Sequence, residues 1–322
     1  MLYYYIKMNI AFFANHLGER GTEVALFDYA YYNQKILNNK SIVIYQTHQI
    51  NKKEIIKKFN ENFELFHVNN FSEVDPILTK YNVSHIYYIR SGKIDNRLSK
   101  VAINCSHAVF VCQPHGDIYA TISPIISGSN KKIPVVPHMV NLPKHDRNMR
   151  KKLNIPEKAI VFGGYGGSCR FNIKFVHDVV YKIASSNKNI YFLFANFIPF
   201  CAPLPNIIHL PMIAELDKKV EFINSCDAMI WARSDGEVMS MAMGEFSILN
   251  KPIITMKCGY KGHVDILGNK AFWYSCGESL TKIIENFDPS VEKHKDWNAY
   301  RDYTPEKVMK IFNDTFLRPR IK

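Results

Sequence analysis

Ala232-Arg233-Ser234-Asp235-Gly236-Glu237-Val238-Met239-Ser240-Met241-Ala242-Met243-Gly244-Glu245-Phe246-Ser247, continuing to Asn250-Lys251-Pro252-Ile253-Ile254-Thr255, is the stretch whose reading decides the fold of this chain. The apolar run 228–232 leads into it and reads as a strand buried on both faces. A polar turn with one glycine, Gly236, follows. Met239, Met241, Met243, Phe246, Ile248 and Leu249 then predict a buried helix of about three turns. Pro252 opens a second strand-like run. Such a strand–turn–helix–strand unit places its turn at the carboxyl edge of a parallel sheet, where open α/β folds bind ligands.

Two carboxylates stand out there. Glu237 lies at the mouth of the turn, and Glu245 follows eight residues later, near the middle of the helix. That interval is a little over two helical turns, so both side chains can address one cleft from different depths. Glu245 is flanked by Met243, Gly244 and Phe246, and a carboxylate in such company needs polar partners. A purely structural role is also open to both. Glu237 would then be an acid favoured by the helix dipole, and Glu245 would bond a neighbouring loop.

Outward from this motif, the chain of 322 residues is long enough for two α/β domains. Hydrophobic residues at 47% and charged residues at 22% fit a soluble globular protein. No apolar run reaches the length of a membrane span. Residues 1–7 are too short for a signal peptide, and Met8 would serve equally well as a start. The seven cysteines are scattered, with no Cys-x-x-Cys pair, and are expected as reduced thiols in a cytoplasmic protein, soluble or peripheral to a membrane. The net charge of +12 is carried by dispersed pairs such as Lys52-Lys53, Lys57-Lys58, Lys131-Lys132 and Lys151-Lys152. No nucleic-acid module accompanies them, so solvated surface, an anionic substrate or contact with an anionic membrane remain. The amphipathic segment 51–59 is the place for such a membrane contact.

In the first half, residues 10–14 predict a buried strand running into a loop with Gly18, Arg20 and Gly21, then a helix over 24–37 capped by Thr22. Further strands are expected at 41–45, 63–68, 85–89 and 108–112. The last of these would deliver Gln113-Pro114-His115-Gly116-Asp117 to the carboxyl edge, with a helix over 119–126 and a short strand over 133–138. His107 would then lie at the far end of that strand. Residues 141–156 are polar and patternless and mark the domain boundary.

The second half opens with a strand at 159–162 and the loop Gly163-Gly164-Tyr165-Gly166-Gly167-Ser168-Cys169-Arg170. This has the look of a phosphate loop but lacks the third dinucleotide glycine and a ribose acid at the right distance. Arg170 and Lys174 are four apart, hence on one face if helical, and supply the charge a diphosphate needs. Strands follow at 189–195, 207–210, 226–232 and 252–255, with helices at 215–224 and 281–287. Val308, Ile311, Phe312, Phe316 and Leu317 form a last amphipathic helix after Pro305.

The pair Glu237 and Glu245 resembles the Glu-x7-Glu signature of retaining GT-B glycosyltransferases, family 4 in particular. The resemblance extends to the two α/β halves and their loops, with Val238-Met239 replacing the small residues usual in that turn. It implies two Rossmann-like domains with parallel sheets facing a central cleft: an acceptor-side domain over 1–145, a nucleotide-sugar domain over 146–300, and a terminal helix over 301–322 returning to the first. It implies transfer of a sugar from a nucleotide-diphospho-sugar to an acceptor hydroxyl on a glycan, lipid or protein, with retention and without a metal or other cofactor. On this resemblance Glu237 reaches the donor sugar and Glu245 the ribose. Arg233, Gly236, Val238, Met239, Gly164 and Gly18 face the donor, Arg170 and Lys174 stabilise the leaving diphosphate, and His115 holds a sugar or acceptor hydroxyl. Two other readings stay open: a GT-B subunit that binds nucleotide-sugar without turnover, and a Rossmann-type nucleotide-sugar epimerase or reductase.

Overall fold

The structure, a computed structural model, describes residues 7–18, 21–130 and 132–318. Arg20 and Lys131 lie outside the described residues, as do residues 1–6. The chain divides into two units: the described residues of Met1–Met139 with those of Tyr303–Lys322, and Val140–Asp302. Among the described residues each unit carries one six-stranded parallel sheet.

In the first unit β1 (Asn9–Ala14), β2 (Lys40–Gln46), β3 (Glu64–Val68), β4 (His85–Arg90), β5 (Ile103–Ala108) and β6 (Ile118–Thr121) lie in the order β3-β2-β1-β4-β5-β6. Period-two burial explains why the first strand is apolar throughout. Ile10, Phe12 and Ala14 enter one core with Leu26, Tyr29 and Phe312, whereas Ala11 and Phe13 enter another with Val74 and Leu78. Both faces are covered, as a parallel sheet requires. Helix α1 (Gly21–Lys35) and the C-terminal helix Pro305–Phe312 line the first core, with Thr304 capping the latter through the Lys307 amide. Helix α2 (Lys53–Asn60) buries Phe59 and packs Ile55 and Ile56 on the same core, so the face expected to rest on a membrane is used inside the unit. Helices α3 (Val74–Lys80) and α4 (Pro124–Ser127) complete the connections.

Three expectations fail here. The fifth strand is 103–108, not 108–112, because its polar residues Asn104, Ser106 and His107 are buried and hide it from a hydropathy reading. Residues 118–121 are strand rather than helix, and Ser123 with Pro124 starts only a short helix beyond them. Of the strand expected at 133–138, a single bridge from Val135 to Thr121 forms.

In the second unit β7 (Ile160–Tyr165), β8 (Ile190–Ala195), β9 (Ile207–Leu210), β10 (Ala228–Ile230), β12 (Ile253–Met256) and β14 (Phe272–Tyr274) take the order β14-β12-β10-β7-β8-β9. A separate parallel pair joins β11 (Gly236–Glu237) to β13 (Tyr260–Lys261). Helices α5 (Lys174–Ser186), α6 (Leu216–Ser225), α7 (Met241–Ile248) and α8 (Gly262–Leu267) are the ones that bear on the site. The division falls after Met139 rather than after residue 145. Residues 141–156 are not a free linker, because Met149 donates to Ser225 Oγ at 2.7 Å and Arg150 pairs with Asp227 at 2.8 Å. In both units the chain builds outward from a central strand and then restarts on its other side. The reversal lies between β1 and β4 in one and between β7 and β10 in the other.

Candidate functional site

The loops after β7 and β10 flank the reversal in the second sheet, the place where α/β sheets open a crevice. Gly163 and Gly164 are not in the loop but inside β7. A side-chain carbon at Gly163 would stand 2.3 Å from Cys226 Sγ, and one at Gly164 2.7 Å from the Ile230 carbonyl. Packing of β7 against residues 226–230 therefore accounts for both, and Gly164, expected to face the donor, lies within the strand. The loop that follows is tied to the β10 turn: Asn172 donates its amide to Ala232 O at 2.7 Å, and Asn172 Oδ1 accepts from Ser234 at 2.9 Å. These bonds keep residues 170–173 out of helix α5, so Arg170 and Lys174 do not share a helical face as expected.

Gly236 has φ +65°, and its α-carbon lies so close to the Cys258 carbonyl that a side-chain carbon would be 2.1 Å away. Only glycine lets the turn press against the 258–262 loop and pair as β11 with β13. That seats Glu237 in a buried position, where Arg233 Nη1 donates to it at 2.9 Å. Burial pushes the Glu237 carboxyl above its ordinary range, and the Arg233 guanidinium offsets only part of that. His263, itself buried, approaches the Met256 carbonyl with Nε2 at 2.9 Å. A carbonyl needs a donor, so Nε2 carries the proton and Nδ1 accepts the Glu237 amide at 3.3 Å. Asp235 lies 3.7 Å from Arg233 and 3.0 Å from Arg170, giving an alternating line of charges from Arg170 through Asp235 and Arg233 to Glu237.

Val238 and Met239 turn into the core, and Ser240 caps α7 through the Met243 amide. The helix is eight residues long, shorter than the three turns expected, because Asn250 takes a left-handed φ of +57° just past its end. Glu245 is 5% exposed. Lys219 of α6 donates to Oε1 at 2.8 Å, and the Tyr165 hydroxyl donates to Oε2. Burial foremost, with the Glu245 carboxylate beside it, pushes the Tyr165 phenol well up. Each carboxylate of the motif thus has its own cation. Lys219, Tyr165, Asp235 and His263 were missed in the sequence. Only Tyr165, directly after two glycines, carried a local signal.

Lys174 is the first residue of α5, exposed, and paired with Asp178 one turn on. Arg170 is half-exposed. His115 is not delivered to the carboxyl edge. Gln113 donates to Gly92 O beyond the end of β4, while Gly116 is already level with Asn104 and Ser106, so the segment runs back beside β5. His115 sits on that return, its Nδ1 2.7 Å from the Gln113 carbonyl and its ring 5.7 Å from Tyr119. It is His107 that lies near the carboxyl end of β5, buried, with Nδ1 2.6 Å from the Tyr87 hydroxyl. Gly18 lies beside His16 and the Ile50 carbonyl in the loop after β1.

Glycosyltransferase from Rickettsia africae ESF-5 superposes with a TM-score of 0.66 over 98% of this chain and 95% of its own, at 16% identity. Anabaena HepE, solved in complex with UDP-glucose, gives 0.67 over 95% and 98%, at 13% identity. The fold is GT-B. The same GT-B framework is shared by a putative UDP-N-acetylglucosamine 2-epimerase from Listeria monocytogenes, with a TM-score of 0.61 over 96% of both chains at 9% identity. No family model and no curated protein matches the sequence. Among the described residues no helix is long and apolar enough to cross a membrane, and no three His, Cys, Asp or Glu side chains group as metal ligands would.

Proposed function

We propose that this GT-B chain is a glycosyltransferase that moves a sugar from a nucleotide-diphospho-sugar to an acceptor hydroxyl with retention of configuration, in the manner of family 4. The observation that carries this is the pair of buried, ion-paired carboxylates on the strand-turn-helix beside the reversal in the second sheet. A carboxylate offers about four lone-pair positions. Lys219 and Tyr165 occupy two on Glu245, which leaves room for the two hydroxyls of a ribose. Glu237, fixed by Arg233, is suited to hydroxyls of the donor sugar. Negative charge on the departing diphosphate falls to Arg170, Lys174 and the amides after Gly236, each such donor worth about 3 kcal/mol of barrier when preorganised. The HepE complex with UDP-glucose supports a nucleotide-sugar as donor. The acceptor is a hydroxyl of a glycan, lipid or protein.

A second reading, a nucleotide-sugar epimerase, is favoured by the Listeria match. The reductase reading rested on the glycines at 163–167, of which Gly163 and Gly164 lie inside β7 and serve strand packing. A panel of nucleotide-sugars incubated with the chain separates the first two. Transfer or hydrolysis with an unchanged anomeric proton coupling by NMR supports the proposal. An inverted product removes the family 4 mechanism, and an epimerised donor without transfer selects the second reading. Glu245→Gln is expected to weaken UDP binding by about 1.5–3 kcal/mol in calorimetry, and unchanged affinity would take the ribose away from Glu245.

A further inference from the structure

The reversal in the first sheet holds a feature that donor binding leaves unused. At the carboxyl ends of β1 and β4 lies a cavity of about 140 Å³, lined among others by Phe13, His16, Thr22, Glu23, Leu26 and Arg90. Arg90, the last residue of β4, is 7% exposed, and its guanidinium lies 3.9 Å from the centre of the Tyr88 ring. Its Nη2 donates to the Arg97 carbonyl at 2.5 Å and its Nε stands 4.0 Å from Asp95. Nη1 is buried and has no hydrogen-bond partner among the described residues.

Asp95 cannot neutralise this group by itself. Arg97 already grips it, with Nη2 at 2.6 Å and Nε at 3.0 and 3.1 Å from its two oxygens. Burial works to raise the Asp95 carboxyl, but those bonds and the Arg90 charge hold it down at about 2. One carboxylate is thus shared by two guanidinium groups. Across the cavity Glu23, in the first turn of α1, is buried and supplied by His16 Nε2 at 2.9 Å and Thr22 Oγ1 at 3.0 Å. A guanidinium stays protonated under burial, and an unmet N–H on it is costly. What removes that cost is an oxyanion, while Phe13, Leu26 and the neighbouring Ile89 suit a carbon skeleton.

We infer that this cavity binds the carboxylate of a sugar acid or the phosphate of a sugar phosphate through the Arg90 guanidinium, and that the acceptor carries this group. The acceptor role rests on the glycosyltransferase reading. The binding does not.

Calorimetry on the full chain with glucuronate, glucose 6-phosphate, glucose and inorganic phosphate tests it. At least one of the two charged sugars is expected to bind about ten-fold more tightly than glucose, the worth of one hydrogen bond to a charged group. Which one does so tells carboxylate from phosphate. Arg90→Gln is expected to erase the preference and leave UDP affinity unchanged. Glu23→Gln, which removes a competing negative charge and keeps Arg90, is expected to tighten the charged sugar by about three-fold. Equal binding of glucose and both charged sugars, or a preference that survives Arg90→Gln, overturns the proposal. So does binding of inorganic phosphate alone, or a loss of UDP affinity in Arg90→Gln, which would assign Arg90 to the donor. If Arg90→Gln fails to fold by circular dichroism, Glu23→Gln decides: tighter binding upholds the proposal and unchanged binding ends it. Failure of the wild-type chain to bind UDP would count against the donor reading and leave the charged-sugar result standing.

Discussion

The two units repeat one strand order and therefore open crevices at equivalent places, yet they finish them differently. Beside the β7–β10 reversal each cation has its own carboxylate, Arg170 with Asp235, Arg233 with Glu237 and Lys219 with Glu245, although Arg233 Nε is buried without a hydrogen-bond partner among the described residues. Beside the β1–β4 reversal two guanidinium groups share Asp95, and Arg90, which lines a cavity, has no partner for Nη1 among the described residues. Topology fixes where a ligand can enter, and side-chain charge balance fixes what it must bring. The backbones differ as well. Gly236 is locked by carbonyls in a left-handed turn, while no described residue would obstruct a side chain on Gly21 at the start of α1.

The contrast is broken most directly at Arg233. Its removal strands a buried Glu237 carboxylate, so Arg233→Ala is expected to cost about 3–5 kcal/mol in urea unfolding. A loss below 1 kcal/mol would mean that the second crevice is as loosely balanced as the first.

Acid sharpens the comparison. His138 is buried with Nδ1 unpartnered among the described residues, and burial pulls its pKa from 6.5 to about 4. Between those values the unfolded chain holds the extra proton, so stability present above pH 6.5 is lost as pH falls toward 4. The loss amounts to about 3 kcal/mol from this group. His107 shifts in the same direction, burial again leading. Glu237 acts with the opposite sign. Its folded pKa is raised, so its cost to stability is present above that pKa and relieved as pH falls through it. Hydrogen exchange of β1–β5 amides in His138→Leu is expected to show a flatter pH dependence between 4 and 6.5 than wild type. Parallel profiles would remove His138 from the account.

The glycine pair gives the smallest expected effects. Gly236→Ala imposes a left-handed φ on a side chain that also meets the Cys258 carbonyl, an expected loss of at least about 1–3 kcal/mol. Gly21→Ala meets none of the described residues and is expected to be neutral or to stabilise by up to about 1 kcal/mol. Thermal denaturation of both variants decides whether the difference in backbone constraint is real.

Much of the architecture was legible because burial on both faces writes strands as unbroken apolar runs, as in Ile10 to Phe13 and Ala228 to Ile230. β5 was misplaced because its buried groups are polar and satisfied by partners distant in sequence, such as Tyr87 with His107 and Tyr88 with Asn104. The same limit applied at the site. The spacing of Glu237 and Glu245 stood in the sequence, but their partners did not. Lys219 lies 26 residues before Glu245 and Tyr165 80 before it, on separate elements that only packing brings together. His115 read as a site residue because Pro-His-Gly marks a loop, though a turn signal does not say toward which edge the loop runs.

By itself, then, the sequence determined the strand and helix alternation, the doubly covered sheets, and the position of the acidic motif at a strand's carboxyl end. These follow from local periodicity and turn chemistry, which neighbouring residues encode. Only the tertiary structure decided which cation meets which carboxylate, which glycines serve packing, and that one Arg90 N–H has no partner among the described residues. Charge pairing and cavity formation depend on distances between segments far apart in the chain, and no local pattern of residues carries those distances.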